Sequence, residues 1–433
     1  MIQELYSAYL DSSGICTDTR KVDENKMFVA LKGSNFNGND YALSALEAGC
    51  SYAIVDENRA DLNDLNQVFL VENALETLQA LAKYHRKKLK IPVIGLTGSN
   101  GKTTTKELLH ASLSSTYNCY ATKGNFNNHI GVPLSLLEIT NKHEIAIIEM
   151  GANHQKEIAQ LSRIADPDLG LITNIGLAHL EGFGGEHGVY IGKKELFDYL
   201  IEKNGSLFIN SDDEKVIRAT QGVEGITYGA SKNAIYQGSA NMNNGRLEVK
   251  WKREDEETEN SILTQLTGIY NFSNVMAAIA VSRYFGISNS KICKSIEAYS
   301  PTNNRSQLEI TTKGNTLIID CYNANPNSMS AALENLEKMD CDNRIAILGE
   351  MKELGESTRV EHENIINQLL KSKSIEKVYL VGEAFHHIDN KPFKWCKTTE
   401  ELKDHLVDAN INSSTILLKG SRSTKLETLL ELL

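Results

Sequence analysis

The chain has 433 residues, of which 41% are hydrophobic and 23% charged, and its formal net charge is −11. This length exceeds one ordinary hydrophobic core, so we expect two or three domains. The acidic balance argues against a nucleic-acid partner, because that binding requires clustered Lys and Arg. The sequence has neither a long apolar run nor a basic leader at its start, so we expect a cytoplasmic protein without a membrane span.

The seven cysteines are scattered and form no C-x-x-C pair. Such a pattern is typical of reduced thiols in a reducing compartment. We therefore expect neither a zinc site nor a disulfide framework.

The first 88 residues alternate short apolar strands with helical segments. We predict strands at 27–31 and 52–55, and helices at 41–48 and 75–89. The basic run Arg86-Lys87-Lys88 indicates a linker to the next unit.

A second unit, predicted to cover residues 89–301, opens with a β-branched strand at 91–97. Apolar strands at 145–148 and 169–173, with helices between them, predict a mainly parallel, doubly wound sheet. Polar residues 230–262 indicate a β-hairpin, and the charged stretch Lys250 to Glu259 indicates a solvated turn.

A third unit, predicted to cover residues 302–433, again alternates strands with helices. Its predicted strands lie at 316–320, 344–348, 377–381 and 414–418. This alternation predicts a second doubly wound sheet.

The strongest functional signal is the glycine-rich loop that follows the 91–97 strand and precedes a helix. Backbone N–H groups at a helix N-terminus bind anions. A lysine of such a loop reaches the terminal phosphates and a hydroxyl binds Mg²⁺, and Lys102 and Thr103 are placed for these two roles. The first glycine departs by one residue from the common G-x-x-x-x-G-K-[ST] spacing. We predict a phosphate-binding loop formed by Gly98, Ser99, Asn100, Gly101, Lys102, Thr103 and Thr104.

Two further side chains follow predicted strands of the same sheet. Glu149 comes directly after the 145–148 strand, where a Mg²⁺ ligand belongs, although an exposed strand-end acid is the alternative. His179 lies in a glycine-containing turn after the next strand, where it is either a site residue or a structural histidine.

Together these motifs resemble the Mur ligases of peptidoglycan synthesis, in residues 97–104, Ile148-Glu149-Met150-Gly151 and Ala178-His179. Segments 124–133, 149–154, 320–326, 348–355 and 419–422 are most similar to the members that add D-alanyl-D-alanine to UDP-N-acetylmuramoyl-tripeptide. The resemblance covers essentially the whole chain, in order. It implies an α/β fold of three domains: a small N-terminal α/β domain for the UDP substrate, a central P-loop ATPase domain with a mainly parallel sheet, and a C-terminal Rossmann-like domain.

The resemblance also implies the catalytic and metal-binding residues. Thr103 and Glu149 would hold one Mg²⁺, and Glu149 and His179 would share a second with a carbamylated lysine. That lysine aligns with Lys193, but Lys194 stands where the family usually has glycine, which leaves an ambiguity of one residue. The implied catalytic residues are Lys102, Glu149, His179, Lys193 and Arg305.

Nucleotide and substrate contacts follow from the same resemblance. In addition to the loop residues, the implied ATP contacts are Asn271, Asn274, Arg305 (in Asn303-Asn304-Arg305) and Asp320. Without the resemblance, 268–278 is simply a capped Ala-rich helix and the Gly- and Asn-rich 32–40 segment simply a turn. The implied substrate contacts are Thr17, Asp18, Thr19, Arg20, Lys32, Gly33, Asn37, Gly38, Asp40, Asn127, Asn128, His129, Asn323 and Asn325.

The implied partners are small molecules, UDP-N-acetylmuramoyl-tripeptide and D-alanyl-D-alanine, joined by a monomeric enzyme through an acyl phosphate. Three alternatives remain open. A diaminopimelate- or lysine-adding Mur ligase would carry an Asp-Asn-Pro-Arg motif, which this sequence lacks. A folylpolyglutamate-type ligase would not have the UDP-type N-terminal domain. A non-catalytic nucleotide switch would not need Glu149, His179 and Lys193 together.

Overall fold

The computed structural model of the protein describes residues 1–62, 65–302, 304–386, 388–389 and 391–433. Asn303, part of the predicted Asn303-Asn304-Arg305 segment, lies outside these residues. The strands within them form three main sheets, flanked by helices, which confirms the predicted α/β class. No helix of the described ranges is long and apolar enough to cross a membrane.

The N-terminal sheet is small and parallel, with the strand order β1-β2-β5-β6. A separate antiparallel pair, β3-β4, lies in the Gly- and Asn-rich segment. The strands are β1 Ile15–Cys16, β2 Met27–Val29, β3 Lys32–Gly33, β4 Phe36–Asn37, β5 Tyr52–Val55 and β6 Val68–Leu70. The helices are α1 Ile2–Asp11, α2 Ala42–Glu47 and α3 Ala74–Lys88.

The central sheet has the order β15-β14-β13-β12-β11-β10-β7-β9-β8, and it is parallel from β8 to β13. Its strands are β7 Val93–Thr97, β8 Cys119–Ala121, β9 Ile145–Glu149, β10 Leu169–Ile172, β11 Ser206–Asn210, β12 Ile226–Gly229, β13 Tyr236–Asn243, β14 Arg246–Arg253 and β15 Asn260–Leu263. Its helices are α4 Lys102–Leu113, α5 Gly131–Leu137, α6 Glu157–Ala165, α7 Leu180–Phe183, α8 Glu186–Lys203, α9 Glu214–Ala219, α10 Phe272–Tyr284 and α11 Asn289–Ala298. Since β9, β7 and β10 are parallel neighbours, their carboxyl ends meet at one edge of the sheet.

The antiparallel strands β13, β14 and β15 at one end of this sheet confirm the predicted hairpin. The predicted position of the solvated turn is only partly right. Strand β14 extends to Arg253, so the prediction of a solvated turn is wrong for Lys250 to Arg253. The physical reason is alternation, because Leu247, Val249 and Trp251 face the core at 0% exposure while the charged residues between them face outward.

The C-terminal sheet has the order β16-β17-β21-β18-β19-β20, and only the β16-β17 pair is antiparallel within the described residues. The strands are β16 Gln307–Ile310, β17 Thr316–Asp320, β18 Arg344–Gly349, β19 Ile375–Val381, β20 Lys394–Cys396 and β21 Thr415–Lys419. The helices are α12 Pro326–Lys338, α13 Thr358–Lys371 and α14 Thr399–Ala409. Helices α12 and α13 pack on one face, and α14 with the terminal 3₁₀ segment Leu426–Leu432 packs on the other.

Helix α3 packs against α1 of the N-terminal unit and against α5 and α6 of the central unit. Arg86, near its end, is only 5% exposed. The guanidinium donates to the carbonyl oxygens of Ala165 (3.0 Å) and Asp166 (2.9 Å), and to the carboxylate of Asp168 (2.8 Å). The prediction that Arg86-Lys87-Lys88 is a linker is therefore wrong, because Arg86 binds the carbonyl groups left free where α6 ends.

We expect Arg86→Ala to lower the free energy of unfolding by about 2 kcal/mol, because it leaves buried carbonyl groups and Asp168 without a donor. Urea denaturation followed by circular dichroism measures this loss. Arg163→Ala removes an exposed arginine from neighbouring α6 and should change the value by no more than about 0.5 kcal/mol. Equal effects of the two substitutions would contradict the structural role of Arg86.

Candidate active site

The glycine-rich loop joins β7 to α4, and two of its glycines have positive φ. Gly98 has φ +147°, and a Cβ there would lie 2.0 Å from Thr173 Oγ1. Gly101 has φ +77°, and a Cβ there would lie 2.4 Å from Asn274 Oδ1. Because a larger side chain meets both strain and a clash, the loop requires glycine at these positions.

The loop is fixed by hydrogen bonds to the segment after β10. Asn100 N donates to Asn174 Oδ1 (3.0 Å), and Ser99 Oγ donates to Gly176 O (3.0 Å). Helix α4 begins at Lys102, so the first N–H groups of the helix have no intrahelical acceptor and form an anion site.

The ammonium group of Lys102 lies over this loop and donates to the carbonyl oxygen of Gly98 at 2.6 Å. Burial lowers the pKa of Lys102, the charge of Glu149 raises it, and Arg305 lowers it further. The lysine is thus a partly desolvated cation directly beside the N-terminus of α4.

Glu149 is the last residue of β9 and is only 1% exposed, so the alternative of an exposed strand-end acid is wrong. Its Oε1 accepts hydrogen bonds from Asn127 Nδ2 (2.8 Å) and Thr103 Oγ1 (3.4 Å). Its Oε2 is buried without a hydrogen-bond partner. A buried, unpaired carboxylate oxygen is costly, and a divalent cation would satisfy it.

The donor set at this position fits magnesium. Across the described part of the chain, no three His, Cys, Asp or Glu side chains converge to enclose a metal ion. Mg²⁺ needs no such cage, because it is usually bound by one or two carboxylates together with water and substrate phosphates. Thr103 and Glu149, one hydroxyl and one carboxylate at a phosphate-binding loop, form a donor set of this kind.

His179 lies where α7 begins, in the left-handed conformation with φ +53°. Its Nδ1 is 2.5 Å from Glu353 Oε2 of the C-terminal unit, close enough for an ion pair. This contact lowers the pKa of Glu353 against the opposing effect of burial. His179 therefore lies at the junction of two domains.

Lys193 and Lys194 point in different directions from α8. Lys193 is fully buried, and its Nζ donates to Ala152 O at 3.3 Å and lies 4.9 Å from the centre of the Phe183 ring. Burial, with a smaller effect of the Lys102 charge, holds the pKa of Lys193 well below its usual value. Lys194 is paired with Asp198 at the surface. This orientation favours Lys193 as the functional lysine.

A cleft of about 850 Å³ separates the central and C-terminal units, and the loop, Glu149 and His179 line it. On the opposite wall, the Arg305 guanidinium lies 3.7 Å from the centre of the Tyr322 ring. Asp320 pairs with Lys419 at 2.6 Å. The structure brings these predicted residues into the same cleft, together with Asn127, Asn128, His129, Asn271, Asn274, Asn323 and Asn325.

Two of the predicted ATP contacts, Asn271 and Asn274, are buried and already hydrogen-bonded. Asn274 Oδ1 accepts from Thr105 Oγ1 (3.0 Å), and its Nδ2 donates to Asn271 Oδ1 (2.9 Å). Asn271 Nδ2 donates to Thr267 O (2.8 Å). The pair therefore joins α10 to the helix that follows the phosphate loop.

The predicted residues of the N-terminal unit lie elsewhere. Thr17 to Arg20 and Lys32 to Asp40, all within the described residues, do not line the cleft. Asp18 forms a two-pronged contact with Arg20 (2.9 and 2.8 Å), and Lys32 pairs with Asp56 (3.0 Å). A substrate that touches both these residues and the cleft therefore has to extend beyond the cleft.

Several cleft residues were not predicted as site residues: Asn174, Tyr322, Glu353, Lys419 and Arg422. A usable signal was present, because each follows the carboxyl end of a parallel strand or forms that end. Ligands of open α/β sheets bind at these ends.

Models of three domains match this chain in order. The model described as "Mur ligase family, catalytic domain" matches residues 11–88, "Mur ligase middle domain" matches 96–282, and "Mur ligase, glutamate ligase domain" matches 304–422. The UDP-N-acetylmuramoyl-tripeptide–D-alanyl-D-alanine ligase of Bacillus subtilis (strain 168) is 35% identical over 430 residues, 96% of this chain and 92% of that protein. This chain belongs to the Mur ligase family. The ligase of the same name from Escherichia coli (strain K12) is 33% identical, covering 98% of this chain and 94% of that protein.

Solved Mur ligase structures share the whole fold. A crystal structure of MurF from Acinetobacter baumannii has a TM-score of 0.89 at 28% identity, covering 100% of this chain and 98% of that one. The MurF ligase of Thermotoga maritima in complex with ADP has a TM-score of 0.87 at 26% identity, covering 98% and 97%. A folylpolyglutamate synthase of Mycobacterium tuberculosis, 13% identical with a TM-score of 0.63, shares the fold alone.

We expect Gly101→Ala to weaken ATP binding at least about tenfold, because its Cβ would displace Asn274 and distort the first turn of α4. Isothermal titration calorimetry measures the affinity. Gly286→Ala is the matched control, since its φ of +76° equals that of Gly101 within a degree and nothing lies within 4 Å of the added Cβ. Equal losses of affinity in the two variants would show that backbone strain alone is responsible.

Proposed function

We propose that this Mur ligase joins D-alanyl-D-alanine to UDP-N-acetylmuramoyl-tripeptide at the expense of ATP, giving the pentapeptide precursor of peptidoglycan. Relatives with this name align over more than nine-tenths of their length, which supports the choice of substrates. The cleft supports the chemistry, because the phosphate loop and a buried carboxylate face a second sheet across about 850 Å³. We also propose that the enzyme acts as a monomer.

Amide formation from a carboxylate and an amine is uphill in water, so the carboxylate must first be activated. The terminal carboxylate of the tripeptide attacks the γ-phosphorus of ATP, which releases ADP and gives an acyl phosphate. The dipeptide amine then attacks the acyl carbon, loses a proton, and expels phosphate from the tetrahedral intermediate. The favourable free energy of converting ATP into ADP and phosphate thereby drives amide formation.

The obstacle in the first step is the repulsion between two anions. We assign Lys102, at the N-terminus of α4, to the terminal phosphates of ATP. Arg305 reaches the cleft from the other wall, stacked on Tyr322, and we assign it to the γ-phosphate. Fixed positive groups in a site shielded from water stabilise such a transition state more than they would in solution.

Thr103, Glu149 and His179 fit Mg²⁺, since Glu149 Oε2 is buried and unpaired. When bound there, Mg²⁺ neutralises phosphate charge and orients the phosphates. We propose that Thr103 and Glu149 bind one ion, and that Glu149, His179 and Lys193 bind a second.

Lys193 would serve as a ligand in a carbamylated form. Its lowered pKa favours the neutral amine, which is the form that reacts with CO₂, and the product carries a negative charge. An unmodified lysine that only donates to Ala152 O is the alternative.

The C-terminal domain would shield the acyl phosphate from hydrolysis. Asn325 Nδ2 donates to Asn100 Oδ1 of the phosphate loop (2.6 Å), and Asn327 Oδ1 accepts from Leu177 N (2.6 Å). Both contacts join α12 to the central unit over the reacting groups, which excludes water from them.

For the N-terminal unit we propose that the surface formed by Thr17 to Arg20 and Lys32 to Asp40 binds the uridine diphosphate group. Its backbone turns, arginine and lysine suit a diphosphate. Asn127, Asn128 and His129, at the cleft, would then contact the peptide portion.

Phosphate release is expected only when UDP-N-acetylmuramoyl-tripeptide, D-alanyl-D-alanine and ATP are all present, with an equal amount of amide product by mass spectrometry. Each acyl phosphate has to be consumed by the amine in this mechanism. Release of phosphate without the dipeptide and without amide product would instead indicate a nucleotide switch.

Lys193→Ala is expected to lose at least about a hundredfold in activity, because it removes a metal ligand, and short carboxylic acids should restore part of it. Lys194→Ala, the matched control in the same helix, should retain activity because Lys194 pairs with Asp198 and does not line the cleft. Full activity of Lys193→Ala, or loss in Lys194→Ala with rescue by carboxylic acids, would contradict the assignment to Lys193.

A further inference from the structure

The carboxyl ends of β17 and β21 lie side by side at the cleft, and Arg422, which follows β21, has no assigned role there. The chain leaves β17 toward α12 on one face of the sheet, and it leaves β21 toward Leu426–Leu432 on the other face. Adjacent parallel strands whose connections diverge in this way form a topological switch point. Ligands of open α/β sheets bind in the crevice outside such strand ends.

Tyr322 and Arg422 flank this crevice, two residues after β17 and three residues after β21. The Arg422 guanidinium lies 5.3 Å from the centre of the Tyr322 ring, and that of Arg305 lies 3.7 Å from it. All three side chains line the cleft. An arginine stacked on an aromatic ring keeps its N–H groups directed in the plane of the guanidinium, ready for a planar anion.

The turn that presents Arg422 is fixed by the preceding residue. Ser421 N donates to Glu350 O (3.2 Å), and Ser421 Oγ accepts from Lys352 N (3.0 Å). The hydroxyl of Thr424 closes the turn by donating to Ser421 O at 2.6 Å. Arg422 therefore extends from rigid backbone at the end of a central strand.

Arg422 differs from its charged neighbours in having no carboxylate partner within the part of the chain that the structure describes. Lys419 beside it is neutralised by Asp320 at 2.6 Å. His179, on the other wall, lies against Glu353. Among the residues that the structure describes, no carboxylate lies within 4.0 Å of the Arg422 guanidinium, although the cleft contains several acids.

We propose that Arg422, which lies over the Tyr322 ring, binds the C-terminal carboxylate of the incoming dipeptide and makes the enzyme selective for a free acid. The inference rests on the proposed function. The acyl phosphate forms at the phosphate loop on the central wall, so the nucleophile approaches from the C-terminal wall. Its amine must be free to react, and the carboxylate at its other end is the group that a guanidinium pairs with in a two-pronged contact.

The test compares D-alanyl-D-alanine with its C-terminal amide as amine substrates of the wild type, Arg422→Ala, Arg422→Lys and Arg359→Ala. Arg359 is the matched control, an arginine of the same domain that pairs with Glu363 on the surface of α13. The wild type and Arg359→Ala should prefer the acid over the amide by at least about tenfold in kcat/KM. Arg422→Ala should lower this ratio to near one through the KM for the acid, with the KM values for ATP and the UDP substrate unchanged.

Arg422→Lys keeps the charge but not the planar fork, so we expect an intermediate ratio, and this variant also serves if Arg422→Ala does not fold. A wild-type ratio in Arg422→Ala would overturn the inference, as would a rise in the KM for ATP alone. If the wild type forms no amide with either dipeptide, the proposed function fails and this inference with it. Product formation with an unchanged ratio in the variants removes only the inference.

Discussion

One buried carboxylate determines the arrangement of the rest of the site. Glu149 is 1% exposed at the end of β9 and has one oxygen without a partner. An isolated buried anion is expensive, so positive or polar groups must surround it. Asn127 and Thr103 bond its other oxygen, and Lys102 is close enough for its pKa to respond to the charge. Together with Glu149 these groups come from three separate segments, the end of β9, the start of α4 and the loop before α5, which therefore have to converge.

This convergence explains how an acidic chain can process anionic substrates. The net charge of −11 is spread over the surface, while the cleft contains Lys102, Arg305 and Arg422. Charges act strongly only over short distances in water with salt. The local positive groups, rather than the overall charge, therefore determine which ligands enter.

Sequence patterns located the secondary structure where local periodicity determines it. The strand predicted at 316–320 is β17, and the helix predicted at 75–89 is α3 with a shift of one residue at each end. The linker prediction failed because the partner of Arg86, Asp168, is 82 residues away, and no local pattern reports it. The motif alone likewise does not show which of Lys193 and Lys194 is the functional lysine. Successive residues of a helix differ in direction by about 100°, so the packing of α8 determines which of the two is buried.

The candidate site likewise contains some features that the sequence could predict and others that depend on non-local packing. The phosphate loop and Glu149 could be predicted, because each motif is contiguous with the strand that positions it. Tyr322 and Arg422 each follow a strand that could be predicted, but their proximity could not, because it depends on the pairing of β17 with β21, where Asp320 lies opposite Lys419. The hydrogen bonds that occupy Asn271 and Asn274 depend on the packing of α10 against α4, which is equally non-local.

The contact between Asn100 and Asn325 has a thermodynamic consequence. It makes a residue of the phosphate loop a direct partner of the first turn of α12. By linkage, a ligand on the loop that strengthens the association of the two domains gains affinity by the same factor when the domains are already associated. Wherever nucleotide binding changes the association of the two domains, a substitution in α12 that never touches the nucleotide also changes how tightly the nucleotide is bound.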